Sequence, residues 1–88
     1  MKQEIRAKIL KRLKIIEGQV RGLEDMIVKE KYCIDIITQT GAVKKALSGV
    51  EDLILKNHLS THVIHQIKHG QENQSIKEIL RVYQLKRK

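Results

Sequence analysis

The run CIDIITQTGAVKKALSGVEDLILKNHLSTHVIHQIK, residues 33–68, contains no proline, and its apolar residues Ile36, Val43, Leu47, Val50, Ile54 and Leu55 recur at helical spacing. It reads as one long helix that starts near Tyr32 or Cys33 and ends near Lys68. At a rise of about 1.5 Å per residue such a helix spans about 50 Å. A compact chain of 88 residues is only about 30 Å across. Part of the apolar stripe must therefore be covered by a second copy of the chain. A kink near Gly41 or Gly49 is the structural alternative.

Working outward, Ile5, Ile9, Leu13, Ile16, Val20, Leu23 and Ile27 form one face of an amphipathic helix over about residues 3–28. Lys29-Glu30-Lys31 breaks that pattern and reads as a turn. Gly18 and Gly22 stand four apart inside the helix, where close packing of another backbone would account for them. On the other side, Gly70 to Gln74 reads as a polar loop, and Ser75 as the cap of a last helix over about 75–86 with Ile76, Ile79, Leu80 and Val82 inward. The chain has no Phe, Trp or Pro, so an aliphatic core inside an all-α fold is expected. Residues 1–88 are expected to form a single domain.

The formal net charge of +8 calls for an anionic partner, nucleic acid ahead of a membrane surface. No stretch approaches a membrane span, and Met1-Lys2-Gln3-Glu4 opens no signal peptide. The single cysteine excludes an internal disulfide and suits a cytoplasmic setting with a free thiol.

The four histidines, His58, His62, His65 and His69, are spaced 4, 3, 4 and lie along one helical stripe. Two imidazoles four residues apart reach one metal ion; a solvated polar face is the plainer reading. Cys33 is the remaining soft ligand, or else a small buried hydrophobe. It lies about 37 Å along the helix from His58, so the two cannot share an ion within one chain. They can if two long helices pack antiparallel, with Cys33 of one subunit facing His58 and His62 of the other. The crossing then falls near Ala46, among Gly41, Ala42, Ser48 and Gly49, whose small side chains allow close approach. One thiolate and two imidazoles suit Zn(II), Co(II), Ni(II) or Cu(II), one ion per subunit.

No catalytic arrangement, glycine-rich phosphate loop or helix-turn-helix pattern is present, so an enzyme is not expected. DNA contact is expected from Lys8, Lys11, Arg12, Lys14 and Arg21 on the first helix, and from Lys77, Arg81 and the Lys86-Arg87-Lys88 end. Such contacts go chiefly to phosphates and are strongly salt-dependent.

Arg12, the run Glu17-Gly18-Gln19-Val20-Arg21-Gly22-Leu23, Tyr32-Cys33-Ile34-Asp35 and His58-Leu59-Ser60-Thr61-His62 together resemble the copper-, nickel/cobalt- and formaldehyde-responsive repressor family, CsoR/RcnR/FrmR. The resemblance covers nearly the whole chain. It implies a three-helix subunit, an antiparallel helical-bundle dimer and a dimer-of-dimers tetramer. It implies a transcriptional repressor that leaves operator DNA when metal binds between subunits, so that export or detoxification genes are expressed. Cys33, His58 and His62 match the family's core ligand positions, and Arg12 and Arg21 match its basic ones. Tyr32 and Glu78 match residues that support the site in copper-sensing relatives, which points towards copper, so that Ni(II), Co(II), Zn(II) and Cu(I) all stay open. His62, where copper sensors usually carry Cys, resembles the nickel/cobalt branch, but that branch has a His near its N-terminus where this chain has Met1-Lys2-Gln3. The formaldehyde branch uses an N-terminal Pro that is missing here. The alternatives are a repressor that senses persulfides or electrophiles through Cys33, a metal storage protein and a constitutive basic DNA-binding protein.

Overall fold

The computed structural model describes residues 1–86; Arg87 and Lys88 of the expected basic tail lie outside them. The described residues are helical apart from short connections, with no strand among them. Helix α1 spans Gln3–Val28 and α2 spans Cys33–His58. A π-helical turn, Leu59–Val63, leads into α3, Ile64–Lys68, and α4 spans Glu72–Lys86. Helix α2 passes through Gly41 and Gly49 without a break.

Backbone contacts divide the chain into two compact units, Met1–Leu55 and Lys56–Lys88. In the first, α1 and α2 form a hairpin around Ile9, Ile16, Val43 and Val50, with Ile5, Leu13, Leu23, Ala46 and Leu53 packed against them. The buried pairs are seven apart on each helix, the repeat that keeps one seam facing a neighbour. The Arg12 guanidinium lies 3.7 Å from where a Gly49 Cβ would stand. Arg12 is as far before the turn as Gly49 is after it, as antiparallel helices require. The expected faces hold in part: Leu47 and Ile54 are each 42% exposed, and Leu53 takes the inward place. Only one side of α2 is covered by α1, while its apolar residues extend round more than one side. Beyond the adjacent turns of α1 itself, no backbone of the described residues comes within 4 Å of a Cβ built on Gly18 or Gly22, so packing inside the chain does not explain that pair.

The turn after α1 is a Schellman motif. Lys31 N–H donates to the Met26 carbonyl at 2.9 Å and Glu30 N–H to the Ile27 carbonyl at 3.1 Å. Glu30 holds the left-handed position, with φ of 50°.

The second unit ends its long helical run in the same way. Gln71 N–H donates to the Gln66 carbonyl at 2.6 Å and Gly70 N–H to the Ile67 carbonyl at 3.2 Å, with Gly70 at φ 73°. Glycine adopts this conformation without the Cβ penalty. The chain then re-enters a helix at Glu72, so the expected loop is shorter and Ser75 is no cap. Ser75 is only 2% exposed and lies inside α4. With Glu78 and Val82 it forms the covered face, while Ile76, Ile79 and Leu80 are exposed. The reason is polar: the groups opposite α4 are hydrogen-bonding side chains, and the helix turns its matching residues towards them.

Candidate metal centre

The π-helical turn begins directly after His58 and contains His62, the two histidines expected to bind metal. In it, Ser60 Oγ donates to the Lys56 carbonyl at 2.9 Å, and Thr61 Oγ1 to the Asn57 carbonyl at 2.7 Å. These hydroxyls satisfy carbonyls around a turn wider than an α-helix, a feature that recurs at functional sites. His58 is half-buried at the end of α2 and His62 is exposed. Their ring centroids stand 5.3 Å apart, with planes inclined by 28°.

His58 Nε2 lies 3.0 Å from Glu78 Oε2. Gln66 Nε2 donates to the same oxygen at 3.3 Å, and Gln74 Nε2 donates to Oε1 at 3.1 Å. Gln66 is itself fixed by Ser75, whose hydroxyl donates to Gln66 Oε1 at 2.8 Å. The Gln74 amide, then the Gln66 amide and His58, hold the Glu78 carboxyl below its ordinary range against the opposing effect of burial. An ionised carboxylate only accepts, so the proton of this contact sits on His58 Nε2. In the neutral ring that leaves the lone pair on Nδ1 for a ligand. A ring nitrogen tied to a carboxylate while the other is free is the usual arrangement of a metal-binding histidine.

Cys33 is the exposed first residue of α2. Tyr32 precedes it and is 70% exposed, its carbonyl accepting from the Asp35 and Ile36 amides at 3.0 and 3.2 Å. Among the described residues no three His, Cys, Asp or Glu side chains gather to hold an ion within one chain. His58 meets His62 on one side and Glu78 on the other, and Cys33 and Tyr32 belong to the other unit. As a donor set, a thiolate with two imidazoles, one of them fixed by Glu78, fits a soft or borderline ion. Spacing singled out His58 and His62, and the family resemblance singled out Glu78. Gln66, Gln74 and Ser75 were missed; only the four-residue step from Gln74 to Glu78 hints at them.

Lys8, Lys11, Arg12, Lys14 and Arg21 are exposed on α1, and Lys77 and Arg81 on α4. Arg12 also lines a shallow groove with Ile15, Ala42 and Lys45, which places Lys45 beside the expected basic residues. No described helix is long and apolar enough to cross a membrane.

An all-helical chain with a basic first helix and a carboxylate-supported histidine pair defines a class: a metal-responsive DNA-binding regulator. The family model described as metal-sensitive transcriptional repressor matches residues 5–84. The copper-sensing transcriptional repressor CsoR of Bacillus subtilis is 43% identical over 75 residues, covering 85% of this chain and 74% of that protein. The transcriptional repressor RcnR of Salmonella typhimurium is 30% identical over 81 residues, covering 92% and 86%. The crystal structure of the copper-sensing repressor CsoR with Cu(I) from Geobacillus thermodenitrificans superposes with a TM-score of 0.92 at 39% identity, covering all of this chain and 92% of that one. The chain belongs to the family of metal-sensitive transcriptional repressors.

Proposed function

We propose that this repressor senses copper(I) at a site shared between two subunits, with the Cys33 thiolate from one and the His58 and His62 imidazoles from the other. The observation that carries the reading is the bond from His58 Nε2 to Glu78 Oε2 at 3.0 Å, which orients the ring and leaves Nδ1 available. The greater identity to CsoR of Bacillus subtilis than to RcnR of Salmonella typhimurium, 43% against 30%, favours copper(I) over nickel or cobalt. Sharing between subunits is supported by the lack of a third ligand-type side chain placed to hold an ion with His58 and His62 among the described residues and by the exposed apolar residues Leu47 and Ile54 on α2. An antiparallel dimer covers that stripe, and pairing of dimers gives a tetramer.

Bound copper(I) supplies a positive centre that one thiolate and two imidazoles share. Everything else falls to the chain. Glu78 keeps the proton on His58 Nε2 and fixes the ring, and Tyr32 is the residue directly before Cys33. With the ion held, Cys33 at the start of α2 in one subunit would be tied to His62 in the π-helical turn of its partner. The basic residues Lys8, Lys11, Arg12, Lys14, Arg21, Lys77 and Arg81 hold operator phosphates in the metal-free arrangement and lose their common register in the ligated one. Linkage makes the antagonism mutual, since operator DNA weakens metal binding by the factor by which metal weakens DNA binding. The setting is the cytoplasm, where the operator lies.

The test is a copper(I) titration of the reduced protein alongside operator-DNA binding. About one ion per subunit is expected, with DNA released as the site fills. Cys33→Ala should abolish both, and Glu78→Gln should weaken copper(I) binding by about 10–100-fold. A Cys33→Ala protein that still released DNA on copper(I) addition would overturn the scheme. The exposure of Cys33 also admits a second reading, in which a persulfide or electrophile modifies the thiol. DNA release by such reagents in metal-free buffer, without response to copper(I), would establish it.

A further inference from the structure

The histidine stripe contains a second pair that the Cys33–His58–His62 reading leaves unused. His65 lies in α3 and His69 caps its end. Their ring centroids are 4.1 Å apart, closer than the first pair, and their planes are inclined by 59°. Both side chains are exposed. Whereas Glu78 occupies a nitrogen of His58, neither ring of the second pair has a hydrogen-bond partner among the described residues. The turn that carries them is held firmly. His69 N–H donates to the His65 carbonyl at 3.1 Å, and the Schellman bonds from Gly70 and Gln71 close the helix end directly behind.

We propose that His65 and His69 form a second, bidentate site for a borderline divalent cation of the Ni(II), Cu(II) or Zn(II) class. A four-residue step on a helix brings two imidazoles onto one face about 6 Å apart along the axis. Two nitrogens at about 2.0–2.1 Å from one ion then close the chelate by small side-chain rotations. The rings are already together, so binding orders little that is not ordered beforehand. With two imidazoles, no thiolate and water filling the remaining positions, the site selects borderline divalent ions rather than copper(I). Its position at the end of a long helical run also favours a cation, since the helix dipole is negative there. Among the described residues no three ligand-type side chains converge, so this pair and the first are separate sites. Ion binding here clamps the last turn of α3 just ahead of α4, independently of the copper(I) response.

The experiment uses the full chain carrying Cys33→Ala, which removes the thiolate of the first site. Ni(II) is titrated by calorimetry into this protein and into the same protein with His65→Asn and His69→Asn, with equal helical circular dichroism checked for both. Binding is expected in the first and about 100-fold weaker in the second, the effect of losing a tethered pair of ligands. Isotherms that coincide, or no binding to Cys33→Ala, overturn the site. Imidazole 15N shifts of the unsubstituted protein give a second reading: Zn(II) should move His65 and His69 together, and shifts confined to His58 and His62 overturn the proposal. His65→Asn/His69→Asn in the otherwise natural chain should keep its copper(I) affinity. A fall would show that the two pairs make one centre and would equally overturn it.

Discussion

The two units of the chain are held by different chemistry. In Met1–Leu55 the buried cluster is aliphatic: Ile9 and Ile16 on α1 against Val43 and Val50 on α2. In Lys56–Lys88 the most buried residues are Val63, Asn57 and Ser75, and the contacts that join α4 to the rest of the unit run through Ser75, Gln66, Glu78 and His58. Aliphatic packing is non-directional, which suits a scaffold that must only hold two helices together. Hydrogen bonds are directional, and their geometry decides which nitrogen of His58 carries the proton. The chemistry proposed for metal therefore sits where the contacts are polar. In the polar unit a buried donor or acceptor that loses its partner is left unsatisfied. Asn57 Oδ1 is already buried without a partner among the described residues.

Substitutions can test how far this contrast holds. The largest effect is expected in the first unit. Ile16→Ala removes a side chain from the centre of the aliphatic cluster and should cost about 2–5 kcal/mol in urea unfolding at fixed protein concentration. A cost under about 1 kcal/mol would mean that the site collapses around the missing atoms and that the hairpin core is not tightly packed. In the second unit, Ser75→Ala deletes the hydroxyl that serves Gln66 at 2.8 Å and should cost about 1–3 kcal/mol. Hydrogen exchange should show the loss in the amides of α4 while those of α1 stay protected. Equal loss in both helices would show that the units unfold as one body, and the contrast would then be chemical without being energetic. The smallest effect separates the two turns, which share one hydrogen-bond pattern but place Glu30 and Gly70 at the left-handed position. Glu30→Gly should raise stability, by no more than about 1 kcal/mol, because relief of the Cβ clash is partly offset by the greater freedom of glycine in the unfolded chain. A loss of stability would mean that the Glu30 side chain makes a contribution larger than its backbone strain.

Legibility followed the same division. The apolar spacing of residues 5 to 27 marks α1, and its length matches the helix Gln3–Val28. The long run from Cys33 is helical as read, but the π-helical turn at Leu59–Val63 carries no pattern of its own. It becomes intelligible through Ser60 and Thr61, whose hydroxyls can satisfy carbonyls that a wider turn leaves free. In α4 the reading failed on its face. Ile76, Ile79 and Leu80 look like the inward residues by hydropathy, yet Ser75 and Glu78 are turned inward because they have partners there. At the candidate site, spacing was enough to pair His58 with His62, since residues four apart on a helix are neighbours whatever else the chain does.

The sequence by itself determined what depends on near neighbours: helix content and length, most of the apolar face of α1, the histidine stripe and the strong positive charge. Each is set by interactions within a few residues or by simple summation. Only the tertiary structure decided that Glu78 meets His58 across 20 residues, that Ser75 is buried and that Gln66 links the two. Those contacts depend on the direction in which α4 leaves the turn at Gly70, and that direction is chosen by the mutual satisfaction of polar groups that lie far apart along the chain.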